Sequence, residues 1–194
     1  MKWTPILYSR EMVAATLAGR KTKTRRLQGL EPVNQEPGRW TLTGYVNKNK
    51  VLHARFNNQI QCRCPYGQVG DRLWVRETFL PKASGTIYRA DLTPLDAAGI
   101  GAMYGGWKPS IHMPRWESRI TLEVTEIRVE RIQNITDDEA TAEGVEWIFP
   151  TTRFYTLWER LKPKTWDKNP WVWVIGFKPL ETQHFGQNGA VHYI

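Results

Sequence analysis

The feature that most restricts the fold is a run of seven consecutive apolar residues, 171–177. Side chains alternate between the two faces of a β-strand, so a strand that is apolar on both faces must be covered on both. The run therefore predicts a central strand. Pro179 is expected to close it, because proline has no N–H to donate to a sheet.

Two further segments show the alternation of half-buried strands. One face of 71–78 carries leucine and valine, and the other carries a stripe of cationic and aromatic side chains: Arg72, Trp74 and Arg76. In 118–132 the apolar positions change parity near Thr125, as they do where a strand bends or bulges. A bent strand suits a small barrel.

Three short helices are predicted. The first has Ser9 as N-cap and Gly19 at its end, the second opens with a T-x-x-E capping box at 136–139 and stops by Gly144, and the third spaces its apolar residues helically over 154–161. Many short strands, few helices and no regular βαβ alternation predict an α+β fold, a β-barrel decorated with three short helices.

The organisation is that of a single domain over 1–181. An insertion over 28–64 contains two strand-like runs, 40–46 and 51–56, and the polar tail 182–194 is expected to be loose. No apolar run reaches the roughly 20 residues of a membrane span, and no signal-peptide core follows the N-terminus. We expect a soluble, cytoplasmic protein.

Composition favours a polyanionic partner. The chain has 27 basic and 19 acidic residues, and its 10 tryptophans exclude a disordered chain. The excess positive charge lies in residues 1–116, with 18 basic and 7 acidic residues. Cys62 and Cys64 are too close together for an unstrained disulfide and too few for a zinc site, so we predict no metal and no cofactor. Motifs for nucleotide hydrolysis, zinc proteolysis and α/β-hydrolase chemistry are absent.

The densest cationic segment, 19–26, has the sequence GRKTKTRR. Cations at a helix C-terminus favour the helix dipole, so one interpretation is a solvated helix end. The other is phosphate binding by arginine forks, with Lys21 and the threonine hydroxyls turned inward. A buried, uncharged Lys21 could also activate Thr24 as a nucleophile.

Two other features have a structural and a functional interpretation. The stripe of Arg72, Trp74 and Arg76, which is followed directly by Glu77, suits an unpaired base and its phosphates. Trp74 could equally be a core residue. Glu143 ends the second helix, where the dipole disfavours a carboxylate. A general base or an acceptor for an exocyclic amine would explain it, and an exposed glutamate is the simpler alternative.

Together these motifs resemble a known family. The segments PILYS (5–9), GRKTKTRR (19–26), CPYG (64–67), GDRLWVRE (70–77) and the strand 171–177 resemble ASCH-domain proteins, and IHMPRW (111–116) narrows the likeness to those of bacteriophages and prophages. The resemblance implies a PUA-like β-barrel with a cleft that binds RNA or acts on it. A smaller member removes the acetyl group of N4-acetylcytidine with a Lys, a Thr and a Glu, which match Lys21, Thr24 and Glu143.

We therefore predict that a basic cleft binds RNA or a nucleoside and hydrolyses an acyl-amide on a modified base. Thr24 would be the nucleophile, with Lys21 and Glu143 moving protons. The predicted substrate contacts are Arg20, Lys23, Arg25, Arg26, Arg72, Trp74, Arg76, Glu77 and Trp116. A non-catalytic RNA-binding module, such as a phage adaptor, and a ribonuclease are the alternatives. The resemblance implies the cytoplasm of a bacterial host.

Overall fold

The computed structural model describes residues 1–48, 51–180, 184–185 and 191–192. The helices in this part are α1 (Arg10–Leu17), α2 (Glu31–Asn34), α3 (Pro94–Met103), α4 (Asp137–Ala142) and α5 (Pro150–Leu161). The strands are β1 (Trp3–Leu7), β2 (Lys23–Arg26), β3 (Leu42–Lys48), β4 (Val51–Phe56), β5 (Ile60–Arg63), β6 (Arg72–Arg76), β7 (Phe79–Leu80), β8 (Ile87–Tyr88), β9 (Thr121–Arg131), β10 (Trp171–Leu180), β11 (His184–Phe185) and β12 (Val191–His192).

The main sheet has the order β1-β6-β9-β10-β2. β1 is parallel to β6, and the other neighbours are antiparallel. The prediction of a central strand is confirmed, because β10 lies between β9 and β2 and is buried over 171–177. Pro179 does not close it, however. β10 continues to Leu180, with Pro179 opposite Leu122 of β9.

The two faces of β10 belong to different hydrophobic clusters. Trp173 and Ile175 pack in the larger core, with β1, β6, β9 and α1. Val172 and Val174 pack in a smaller one, against α4 and α5. The parity change predicted near Thr125 is confirmed as a bulge: Gly176 pairs with Glu126 and Phe177 with Val124, so Thr125 is the extra residue.

The predicted closed barrel does not form, since no sheet of the described residues closes on itself. β1 and β2 are the two edges of the main sheet. In a flat five-stranded sheet they would lie about 19 Å apart. Instead, the Arg26 guanidinium of β2 donates a hydrogen bond to the Leu7 carbonyl of β1 at 3.0 Å. The sheet is therefore strongly curled but open.

The structure contains two α-helices and, within the insertion, one strand that the sequence did not predict. The three predicted helices are confirmed as α1, α4 and α5, but α2 and α3 raise the number in the described residues to five. α3 has Thr93 as N-cap and two internal glycines, and it lacks a clear apolar stripe. The insertion folds into a three-stranded sheet, β3-β4-β5, whose third strand was not predicted.

The predicted loose tail, 182–194, lies outside the described residues except for the antiparallel pair β11 and β12. Within the described residues, no helix is long and apolar enough to cross a membrane.

Candidate functional site

Lys21 is fully buried just after α1. Gly19, with φ +70°, turns the chain so that the Lys21 N–H reaches the Ala15 carbonyl at 3.0 Å. Its ammonium donates to the Lys23 carbonyl, the Glu143 carbonyl and Glu143 Oε2, each at 2.8 Å. These three bonds use all three of its N–H groups. Burial lowers the pKa of Lys21, although the Glu143 carboxylate opposes that shift.

Glu143 is the C-cap of α4 and is buried as well. Its Oε2 binds Lys21, and its Oε1 accepts a hydrogen bond from Arg25 at 3.2 Å. Because the Lys21 ammonium also binds the backbone carbonyl of Glu143, it offsets the unfavourable placement of a carboxylate at a helix C-terminus. The simpler alternative of an exposed glutamate is wrong.

Two buried hydroxyls near this pair have no hydrogen-bond partner among the described residues, those of Thr24 and Tyr8. Thr24 pairs with Ile175, and its side chain shares a face of β2 with Arg26, whose guanidinium lies 5.9 Å from the centre of the Tyr8 ring. Lys21 Nζ lies 5.5 Å from the same ring centre. Burial raises the pKa of Tyr8. A buried hydroxyl without a partner destabilises a fold, so each calls for an explanation.

A cavity of about 700 Å³ opens beside these residues, between the edge strands β1 and β2. We call it the seam cavity. Its walls combine apolar and polar side chains, among them Ile6, Tyr8, Gln28, Tyr66, Glu143 and Trp158. This volume and this mixture are typical of small-molecule sites, where a few polar groups orient a ligand between apolar walls.

The chain was also compared with known proteins. No protein-family model, curated protein or solved structure matched it.

The predicted catalytic residues are close together but differ in access. Lys21 and Glu143 form a buried ion pair, and Thr24 lies on β2, which begins two residues after Lys21. Only Glu143 of the three lines the seam cavity. The prediction that Lys21 turns inward is confirmed, and so is that for the Thr24 hydroxyl, whereas Thr22 is exposed.

Arg25 lines the seam cavity but is not available for phosphate. Its side chain is fully buried, and its guanidinium binds Glu130 at 2.6 Å and Glu139 at 2.7 Å in addition to Glu143. The surrounding carboxylates neutralise its charge.

Glu139 does not complete the predicted capping box. Thr136 Oγ1 accepts from the Glu139 N–H at 3.3 Å, but the Glu139 carboxylate turns to Arg25, Arg128 and Lys23. Partial burial raises the pKa of Glu139, but the three cations lower it by more. The pKa of Glu139 therefore lies below its ordinary value.

The other predicted contacts are dispersed. Arg26 and Arg76 line the seam cavity, while Arg72, Trp74 and Trp116 line a second cavity. Arg20 and Lys23 line neither; Lys23 lies 3.4 Å from Glu126 and from Glu139.

Glu77 lines neither cavity. It is buried and binds Arg119 at 2.9 Å. Burial raises the pKa of Glu77, and Arg119 partly offsets that shift.

Sequence reasoning missed several residues that line the cavities, among them Tyr8, Arg115 and Trp3. Tyr8 lies inside the PILYS segment, but only the structure reveals its unpaired hydroxyl. Cys62 and Cys64 are free and buried, and burial raises the pKa of Cys64 to about 12. Among the described residues, no group of three or more His, Cys, Asp or Glu side chains could hold a metal ion.

Proposed function

We propose that the seam cavity binds a nucleoside or an unpaired base of RNA and that the protein hydrolyses an acyl-amide on that base, as in N4-acetylcytidine. The observation that carries the proposal is the buried Lys21–Glu143 pair, with Oε2 and Nζ 2.8 Å apart, whose glutamate lines the cavity. Strongly desolvated titratable pairs in a cavity are a frequent property of active sites.

The lining of the cavity suits a nucleoside. Phe154 and Trp158 offer flat apolar surface to a base, and Gln28 offers a carboxamide that can pair with a base edge. The hydroxyl of Tyr66 donates to Gln28 Oε1 at 3.1 Å, which fixes the orientation of that amide. Arg26 and Arg76 add positive charge for a phosphate.

The proposed reaction begins with a proton transfer from the Lys21 ammonium to the Glu143 carboxylate, which gives a neutral pair. Burial of Lys21 supports this step, because desolvation disfavours the charged form. The Lys21 amine then removes the proton of the Thr24 hydroxyl as its oxygen attacks the acyl carbon. Protonated Glu143, which lines the cavity, gives its proton to the leaving exocyclic amine.

The second half restores the protein. A water molecule attacks the acyl-threonine ester, one of its protons passes to Glu143, and the Thr24 oxygen leaves and takes its proton back from Lys21. Transfer of the Glu143 proton back to Lys21 then restores the ion pair. The products are the free amine on the base and the carboxylic acid, with no net change in the protein.

Thr24→Val tests the proposal. The substitution removes an unpaired buried hydroxyl and nearly preserves volume, so we expect stability to be unchanged or higher. Turnover of N4-acetylcytidine, followed by chromatography and mass, is expected to fall on the order of 10³-fold or more. Thr24→Ser keeps a hydroxyl and is expected to retain measurable turnover.

Thermal denaturation of all three proteins separates loss of chemistry from loss of fold. If wild-type protein leaves N4-acetylcytidine intact, or if Thr24→Val turns it over at the wild-type rate, the mechanism is overturned. Shortening of a single-stranded RNA in the same assay would identify a ribonuclease instead.

One observation favours a second candidate, a non-catalytic RNA-binding module. The ammonium of Lys21 already has three acceptors, and neither Lys21 nor Thr24 lines the cavity. In that case Lys21 holds α4 against the segment before β2. Salt-sensitive RNA binding without turnover would support this candidate.

A further inference from the structure

A second cavity, of about 590 Å³, lies on the outer face of the main sheet. Alternation along β6 places Leu73 and Val75 in the core, so Arg72 and Trp74 project outward. We call this the outer cavity. The side chains that define it are Trp3, Arg72, Trp74, Arg115, Trp116 and Arg119.

The three arginines of the outer cavity differ in their partners. Arg119 is neutralised by Glu77 at 2.9 Å and by Asp91 at 2.7 Å. No carboxylate among the described residues lies within ion-pair distance of Arg72 or Arg115.

Arg72 and Arg115 instead contact the ring of Trp3. Their guanidinium carbons lie 5.1 and 3.6 Å from its centre. Nε of Arg72 is buried without a hydrogen-bond partner in the described part of the chain. Unused guanidinium donors in a cavity favour an anionic ligand, and arginine forks fit phosphate.

Trp116 supplies a different kind of contact. Its side chain is 82% exposed, although tryptophan is usually well covered. None of the described residues stacks on it. An indole at the mouth of a cationic cavity can stack on an unpaired base, and this interaction tolerates any base because every base has a π-face.

The two cavities meet along β6. Trp74 lines the outer cavity and Arg76 lines the seam cavity, and the Arg76 guanidinium carbon lies 4.6 Å from the centre of the Trp74 ring. The four residue steps from Arg72 to Arg76 span about 13 Å. A ligand with several phosphates and bases could therefore occupy both.

We propose that the outer cavity binds a nucleotide that flanks the target base in a single-stranded RNA. Trp116 would stack on its base, and Arg72 and Arg115 would bind the adjoining phosphates. The substrate of the seam cavity would then be a polymer and not a free nucleoside. This inference rests on the proposed function in assuming a base in the seam cavity, but it can be tested independently.

The experiment measures binding of a fluorescein-labelled single-stranded RNA of ten nucleotides to the full chain. Trp116→Ala is expected to weaken binding roughly 5- to 150-fold, the range for loss of one stacked base. Arg115→Gln is expected to reduce the slope of log affinity against log salt by about 1. Trp147→Ala is the matched control, because Trp147 is 77% exposed and lines neither cavity. It is expected to bind like wild type.

Equal affinity of wild type and Trp116→Ala would overturn the outer cavity as a nucleotide site, and so would an equal preference for duplex RNA or no RNA binding at all. The proposed function has its own readout, hydrolysis of N4-acetylcytidine by the wild-type protein. Hydrolysis with Trp116-independent binding overturns only the present inference. Trp116-dependent binding without hydrolysis overturns only the proposed function.

Discussion

In the seam cavity Arg25 lies among three carboxylates, whereas in the outer cavity Arg72 and Arg115 lie against an aromatic ring with no carboxylate in ion-pair distance among the described residues. Arg25 is fully buried, and Arg115 is exposed. A buried charge without a partner strongly destabilises a fold, while an exposed one keeps its water. The same residue type thus serves the fold in one region and remains free for a ligand in the other.

Whether a cationic side chain has a carboxylate partner therefore says more about its availability to an anionic ligand than the local density of positive charge does. The segment 19–26 has the highest density of positive charge in the sequence, yet Lys21 and Arg25 are both committed to internal carboxylates. The less conspicuous pair Arg72 and Arg115, which are 43 positions apart, keeps its charge uncompensated by the described residues.

The largest expected effect on stability comes from replacing Arg25 and Arg115, one at a time, with alanine. Arg25→Ala leaves Glu130, Glu139 and Glu143 without their shared cation, so we expect the free energy of unfolding to fall by about 3–5 kcal/mol. Arg115→Ala removes an exposed stacking contact and is expected to lower it by less than about 1 kcal/mol. Urea denaturation of both variants measures the contrast, and equal losses would break it.

A smaller loss of stability is expected when a side chain is added at Gly144, which lies beside Lys21. A Cβ at Gly144 would lie 2.7 Å from Ala15 Cβ and 3.0 Å from Lys21 Cβ, and φ there is +90°. Gly144→Ala therefore combines an overlap with an unfavourable dihedral angle. Gly70 is a matched control with φ +88° and no atom within 4 Å of such a Cβ.

We expect Gly144→Ala to be less stable than Gly70→Ala by roughly 1–3 kcal/mol, the usual range for overpacking. Thermal or urea denaturation of the two variants gives the difference. Equal stability would show that Lys21 and α4 can move apart freely, and the seam site would then not be rigid.

The smallest effect concerns pH. The pKa of Glu139 is lowered in the folded protein, so the unfolded chain binds more protons as the pH falls past about 4.3, the ordinary pKa of a glutamate. The stability that Glu139 contributes is present above that pH and is lost as the pH falls through the lowered pKa. Glu139→Gln is expected to remove this part of the acid sensitivity, less than about 1 kcal/mol.

Denaturation curves between pH 7 and 3 test this expectation. Glu146→Gln is the control, because Glu146 is 65% exposed and its one ion pair in the described structure is with Arg153. If both variants reduce the acid sensitivity equally, the ion pairs around Arg25 contribute no more to stability than an exposed surface pair does.

Local patterns predicted much of the fold. The Ser9 cap, the apolar spacing of 154–161 and the parity change at Thr125 each depend on neighbours within a few residues, and each is confirmed. Where a local rule competed with a distant partner, the partner prevailed. Glu139 meets the spacing of a capping box, but its carboxylate binds Arg25, 114 positions away.

For the candidate site, the sequence could propose residues but not the contacts between them. Lys21, Thr24 and Glu143 could be named from motifs, whereas the three carboxylates around Arg25 come from two elements, α4 with its C-cap and β9, that only the tertiary fold brings to β2. Tyr8 gave no signal, because an unpaired hydroxyl is a property of the packed structure. The closed barrel is not confirmed in the described residues, because strand patterns do not specify whether the edge strands pair.

The hydrogen bond from Arg26 to the Leu7 carbonyl bears on solubility. An open sheet ordinarily presents two edges of unpaired backbone groups, and such edges recruit strands from other molecules. Here β1 and β2 turn their edges toward each other across the seam cavity, and a charged side chain occupies part of the gap. We therefore expect the same opening that could admit a ligand to shield both edges from neighbouring copies and to lower the tendency to aggregate.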